Sequence, residues 1–393
     1  MPRYYSNIID YARTQLDTFE QRDVCRVDSL VLSWLAYFRL PRDVVASYGQ
    51  DGMPIKELNR ADWFSPMCGR LTDPQSSVEL LGVLAASPRF RDVTVSDYES
   101  RTNKIAEQQF SAMTFHLGPR STFVAYRGTD NTVVGWKEDF NMAFKSAVPS
   151  QVAAVRYLEH VAERTEGRLW CGGHSKGGNL AVYAGVMCQE STFERLVTCF
   201  SHDGPGFSAK TMADARWSRA NELVDKTIPQ SSLVGMIFEN QEHDAKIVHS
   251  HSVGFSQHDP FTWEVDWREF VFEERLGVGA SVVDASVNEW LSNASDQERE
   301  DFVDAVFSVL GAAGEPTMGG IKANWRTTVP RMLAAVALLD PARRKVVTTA
   351  VGDVIRTLVP SRPSLDLSAL LPTSLHPTAL LPAAKRKLKE GMG

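Results

Sequence analysis

Residues 171–185 read CGGHSKGGNLAVYAG, and the serine inside that glycine-rich run constrains the fold more than any other feature. Before it, RLWC is a short strand-like run; after it, NLAVYAGVMCQE has the small and apolar residues of a buried helix. A strand that becomes a helix within so few residues needs a turn too tight for bulky neighbours, which accounts for glycines two places to either side of the serine. Gly173-His174-Ser175-Lys176-Gly177 fits G-x-S-x-G. In that turn the serine hydroxyl is lifted above the strand end, at the positive end of the following helix. A phosphate-cradling loop fits less well, because G-x-x-x-x-G-K-[ST] is absent.

The flanking pattern sets the layers. The first ninety residues read mostly as helix, with Asp28 placed to cap SLVLSWLAYFRL, a segment apolar around much of its surface. DVTVSDYES, QFSAMTFHL and STFVAYRGT then read as successive strands separated by polar or Gly-Pro turns. QVAAVRYLEHVAERTEG predicts a helix with Ser150 as its N-cap. LVTCFSHDG, SLVGMIFEN and AKIVHS predict further strands. Strands alternating with helices imply a mainly parallel sheet covered on both faces. Beyond about residue 280 the pattern is helical again, with Ser295 and Glu298 at capping-box spacing. The last residues are proline-rich, repeat SALLP as TALLP, and end in a small basic cluster; a flexible tail is expected, with peripheral membrane contact as an alternative role.

Composition narrows the classes. A formal charge of −6 over 393 residues argues against nucleic acid as the main partner. Five cysteines, an odd number with no C-x-x-C spacing, suit buried free thiols in a reducing compartment. The N-terminus lacks the apolar core of a signal peptide, and the greasy runs are too short to span a bilayer, so the expected address is the cytoplasm.

If Ser175 is a nucleophile, it needs donors for a developing oxyanion, a base, and an acid to orient that base. The N–H of Lys176, immediately after the serine, is one donor. VAYRGTDNTVVGWKEDF supplies the second: a strand ending in Arg127-Gly128-Thr129 places the Thr129 backbone at the carboxyl edge of the sheet. Together, YRGTDNTVVGWKEDF and GGHSKGGNLA resemble the class 3 triacylglycerol lipases, through Arg127, Gly128, Thr129, Trp136, Asp139 and the run from Gly173 to Ala181. The chain also resembles a bacterial family of lipase-like α/β-hydrolases, through residues 27–37 (VDSLVLSWLAY), 203–207 (DGPGF), 228–236 (IPQSSLVGM) and 257–263 (QHDPFTW). The resemblance extends to about residue 358. It implies an α/β-hydrolase fold, a mostly parallel sheet with helices on both faces. The corresponding division is a hydrolase domain over 1–280 with its N-terminal helices, a helical region over 281–358 and a flexible tail over 359–393.

His258, after the last predicted strands, stands where such a fold carries its base, and the resemblance to the lipase H…W ending agrees; His249 and His251 are the alternatives. For the acid, Asp203 follows a predicted strand and is favoured over Ser232, Asp244 and Asp259. The class 3 pattern instead puts the acid near IPQSSLVG, which holds only serines. His249 and His251 share one face of a strand, as metal ligands can, but no further ligand is evident in sequence and no metal or other cofactor is expected. The expected activity is hydrolysis of a small-molecule acyl ester, a lipid or another apolar ester, by Ser175, His258 and Asp203 with the Thr129 and Lys176 amides. The alternative is a hydrolase-fold binding protein without turnover.

Overall fold

The computed structural model describes residues 5–47, 52–103, 108–129, 147–207, 209–230, 245–252, 254–274, 296–315, 318–341, 344 and 347–348. Its centre is an eight-stranded sheet in sequence order: β1 (Met53–Pro54), β2 (Thr94–Asn103), β3 (Gln108–Gly118), β4 (Ser121–Tyr126), β5 (Arg168–His174), β6 (Leu196–His202), β7 (Val224–Pro229) and β8 (Lys246–Val248). From β4 to β8 every neighbouring pair is parallel. From β1 to β4 the pairs are antiparallel; between β2, β3 and β4 the connections are too short for a crossover. The expected parallel sheet therefore carries an antiparallel meander on one side.

Side-chain alternation explains how both faces are covered. On β4, Phe123 and Ala125 join one buried cluster while Val124 and Tyr126 join another. Trp170 and Cys171 on β5 divide in the same way. The first cluster takes in α1 (Ile8–Thr14), α2 (Arg26–Leu35) and α3 (Pro74–Ala86); the second takes in α4 (Pro149–Arg164) and α5 (Lys176–Met187). With helices on both faces of a largely parallel sheet and a strand–turn–helix at its centre, the chain has the α/β-hydrolase fold.

Two helix starts differ from the sequence reading. In α2 the helix begins earlier, at Arg26, and Asp28 lies inside the first turn, where its carboxylate accepts the Cys25 N–H at 2.9 Å. Asp28 is buried beside Arg89, which donates to it at 2.7 and 2.6 Å, and it also accepts from Tyr11 Oη at 2.7 Å. Arg89 reaches on to the carbonyls of Asp17, Thr18, Arg22 and Asp23, so one paired charge gathers the N-terminal helices. In α4, Ser150 is not the N-cap. Pro149 occupies the first helical position, and Gln151 reaches back to the Val148 N–H at 3.1 Å.

The strand β7 has no counterpart among the expected elements. The strand expected over 232–240, the Ser295 cap, most of the helix expected over 341–358 and the tail lie outside the described residues. Toward the C-terminus, α6 (Asp296–Ala312) packs against α7 (Trp325–Leu338), burying Phe302, Val306, Phe307 and Met332. No helix among the described residues is long and apolar enough to cross a membrane. The five cysteines carry free thiols, and all but Cys25 are buried.

Candidate active site

Ser175 sits where β5 turns into α5, with φ 59° and ψ −135°. That backbone conformation is costly for a residue with a side chain and persists only where the surroundings enforce it. Here the two flanking glycines let the neighbouring backbone close in tightly enough to hold it. A Cβ on Gly173 would lie 2.1 Å from the Gly177 carbonyl carbon, and one on Gly177 would lie 2.1 Å from the Tyr126 oxygen. The turn closes against itself and against β4, so neither position tolerates even a methyl group. The Ser175 N–H donates to the His202 carbonyl at 2.8 Å, continuing the β5–β6 ladder one residue past the strand end.

The Gly128-Thr129 segment lies against this turn. A Cβ on Gly128 would meet the His174 carbonyl at 2.7 Å and the Ser175 Cβ at 3.1 Å, a close approach that only glycine allows. Thr129 is thereby carried to the carboxyl edge of β4, beside the elbow. Lys176 is the first residue of α5, and its side chain is fully buried. Beside this edge a shallow cleft is lined by Trp34, Tyr37, Arg39, Arg70, Arg127 and Thr129.

Asp203 and His258, the expected acid and base, arrive from farther away. Asp203 follows β6 with φ 53°, its N–H held by the Thr227 carbonyl at 2.8 Å. Its carboxylate accepts from His258 Nδ1 at 2.6 Å. Asp203 is 1% exposed, Ser175 3%, and the His258 side chain 13%. Asp259 instead accepts the Phe261 N–H at 3.1 Å and serves as a local turn cap. Ser232 and Asp244 lie outside the described residues, as do Trp136 and Asp139.

His258 ends a short 3-10 turn, Gly254–His258, and among the contacts that hold its loop are three from Trp263, Asn7 and His174. Trp263 Nε1 donates to the Gln257 carbonyl at 2.7 Å, and Asn7 Nδ2 donates to the Phe261 carbonyl at 3.0 Å. The third was not foreseen in sequence: His174 Nε2 donates to the His258 carbonyl at 2.8 Å. The two imidazole centroids are 4.5 Å apart. The carbonyl acceptor fixes His174 as the Nε2–H tautomer, so Nδ1 faces the Tyr37 hydroxyl at 3.1 Å as an acceptor. Burial, reinforced by His258, pushes the His174 pKa well below the usual histidine range, so it stays neutral. His174 precedes the serine in the G-x-S-x-G run, and that adjacency was the only available hint.

A second unforeseen clamp is Asn179, one turn into α5. Its amide nitrogen donates to the Pro205 and Gly206 carbonyls, both at 3.1 Å, and its oxygen accepts from Gln151 at 2.9 Å. Asn179 therefore ties the loop after Asp203 to the helix after Ser175. Of the other histidines, His202 is buried under the sheet edge, 2.9 Å from Ser29 Oγ, with its pKa pushed down to about 3 by burial and then by Arg26. His249 and His251 stand together with Glu264.

Among solved structures, the chain is similar to the Rhizomucor miehei lipase propeptide complex, at 14% identity and TM-score 0.33, over 49% of this chain and 66% of that one. It is also similar to the M37 lipase at 11% identity and TM-score 0.32, over 53% of this chain and 68% of the lipase. The shared part thus spans about two thirds of the length of those chains. No curated protein matches the sequence. The Mbeg1-like family model matches residues 84–308, more than half of the chain and the stretch that carries Ser175, Asp203 and His258. The chain belongs to the Mbeg1-like family, a lipase-like family.

Proposed function

We propose that the protein is a serine hydrolase that cleaves an acyl ester, with Ser175 as nucleophile, His258 as base and Asp203 as the orienting acid. The observation that carries this reading is the 2.6 Å contact between His258 Nδ1 and the buried Asp203 carboxylate, at the sheet edge that holds the strained Ser175 turn. With Nδ1 donating to Asp203, Nε2 is the nitrogen that takes the Ser175 proton as Oγ attacks the ester carbonyl. The carboxylate stabilises the imidazolium that forms. The backbone N–H groups of Lys176, at the positive end of α5, and of Thr129 hold the tetrahedral oxyanion. The imidazolium then protonates the leaving alcohol, and water, activated by the same nitrogen, releases the acid from Ser175. Substrates in this reading are small-molecule acyl esters, either lipids or other apolar esters.

A fluorophosphonate probe tests it. Wild-type protein is expected to be labelled at Ser175 and the Ser175→Ala variant to remain unlabelled, alongside loss of ester hydrolysis. Labelling of both proteins alike would overturn the assignment of the nucleophile. Folded wild-type protein that never labels would leave a hydrolase-fold binding protein instead.

A further inference from the structure

We propose that His249, His251 and Glu264 bind a divalent transition-metal ion of the zinc type, clamping the base of the loop that carries His258. His249 and His251 are two apart on extended chain after β8, which puts both rings on one face. The ligand missing from the sequence pattern comes from across a ladder. Ser250 bridges to Trp263, the His251 N–H donates to the Thr262 carbonyl, and the Glu264 N–H donates to the His249 carbonyl at 2.9 Å. Glu264 is thereby drawn onto the histidine face. The sequence reading could not supply it, because the whole His258 loop intervenes.

The donor atoms have the right spacing. Glu264 Oε2 lies 3.1 Å from His251 Nε2 and 3.8 Å from His249 Nε2, and one donor atom of each residue lies within 4.8 Å of the others. Tetrahedral ligands at zinc distances stand about 3.3–3.5 Å apart, so small adjustments admit the ion, with water at the fourth position. His249 Nδ1 contacts Glu273 Oε1 at 2.5 Å, a carboxylate that orients the ring and leaves Nε2 as the metal-facing nitrogen.

The His251 Nε2 is buried and lies 3.1 Å from the Glu264 carboxylate oxygen. The imidazole and carboxylate donors suit zinc or a neighbouring first-row ion rather than calcium or magnesium. The clamp does not depend on the hydrolase reading.

The test uses the full chain without a histidine tag, cleared with chelator and titrated with zinc(II) and then cobalt(II). Wild type is expected to retain one equivalent of zinc through gel filtration, to melt at a higher temperature with zinc, and to show the visible absorption of tetrahedral cobalt(II). His251→Asn and Glu264→Gln are expected to lose retained zinc, and Glu273→Gln to weaken affinity roughly 10- to 100-fold. Should His251→Asn fail to fold, Glu264→Gln, which keeps the side-chain shape, carries the test alone. Ser175→Ala is expected to bind zinc as wild type does, which separates this site from the hydrolase assignment. Wild type that shows no melting shift in excess zinc, or variants that retain zinc as wild type does, would overturn the proposal.

Discussion

Ser175 owes its position to residues within two places of it in sequence, whereas His258 is placed by partners far along the chain. The turn at Ser175 is shaped by Gly173 and Gly177, whose missing side chains let the backbone fold on itself. His258 is held by Asp203, 55 residues away, and by His174, 84 residues away. One region is written as steric necessity in five consecutive residues. The other exists only after the sheet has brought β5, β6 and the His258 loop to a common edge. A short motif therefore identifies the first region by itself, and the second is identifiable only by its assembled contacts.

The largest expected effect falls on the assembled half. Asp203→Asn keeps the size of the side chain but offers His258 an amide that can donate as well as accept, which permits the wrong imidazole tautomer. Under the proposed mechanism, ester turnover and probe labelling are expected to fall about 10⁴-fold, with the melting temperature little changed. A drop below about tenfold would show that another acid orients His258, and that Asp203 serves only to close the turn after β6.

The local half breaks differently. Gly173→Ala forces a methyl group to within 2.1 Å of the Gly177 backbone, where no flexible side chain can give way. Destabilisation of about 4 kcal/mol or more is expected, read as a collapse of the urea midpoint rather than as a selective loss of rate. Gly82→Ala is the control, since nothing lies within 4 Å of a Cβ there and the residue sits within helix α3. It should stabilise by about 0.5–1 kcal/mol. A Gly173→Ala protein as stable as wild type would mean that the turn is looser than these approaches require.

The same contrast explains what could be read beforehand. Runs such as STFVAY and RLWC announce strands through β-branched and aromatic residues, and both appear as β4 and β5. The segment VDKTIP, which forms β7, has three β-branched residues, but two charges and a proline in six residues mask the signal; its Thr227, Ile228 and Pro229 are buried. Direction of pairing was also hidden: the β2–β4 meander is antiparallel because its turns are short, while composition looks alike on both sides of the sheet. At Asp28, aspartate's preference for helix starts places the residue near the N-terminus of α2, but it lies inside the first turn, bound to Arg89 from 61 residues away. The Glu264 partner of the paired histidines, and the His174 brace on His258, are likewise products of tertiary pairing.

Two buried histidines lie between these halves, and they give the smallest and most graded test. His174 and His202 both have pKa values lowered by burial, His202 to about 3. Each is neutral in the folded protein where the unfolded chain, near the ordinary value of about 6.5, takes up a proton. Their contribution to stability is therefore complete above about pH 6.5 and is lost as pH falls toward the folded values, with the unfolded state binding more protons throughout that window. Each group contributes a slope of at most about 1.4 kcal/mol per pH unit. His202→Asn keeps a polar partner for Ser29 but cannot titrate, so its urea midpoint should fall less steeply than that of wild type between about pH 6 and 4. Because every carboxylate titrates in both proteins, the difference between the two slopes isolates His202. Parallel slopes would mean that His202 is protonated in the folded state, and that the sheet edge between Ser175 and Asp203 is wetter than its burial implies.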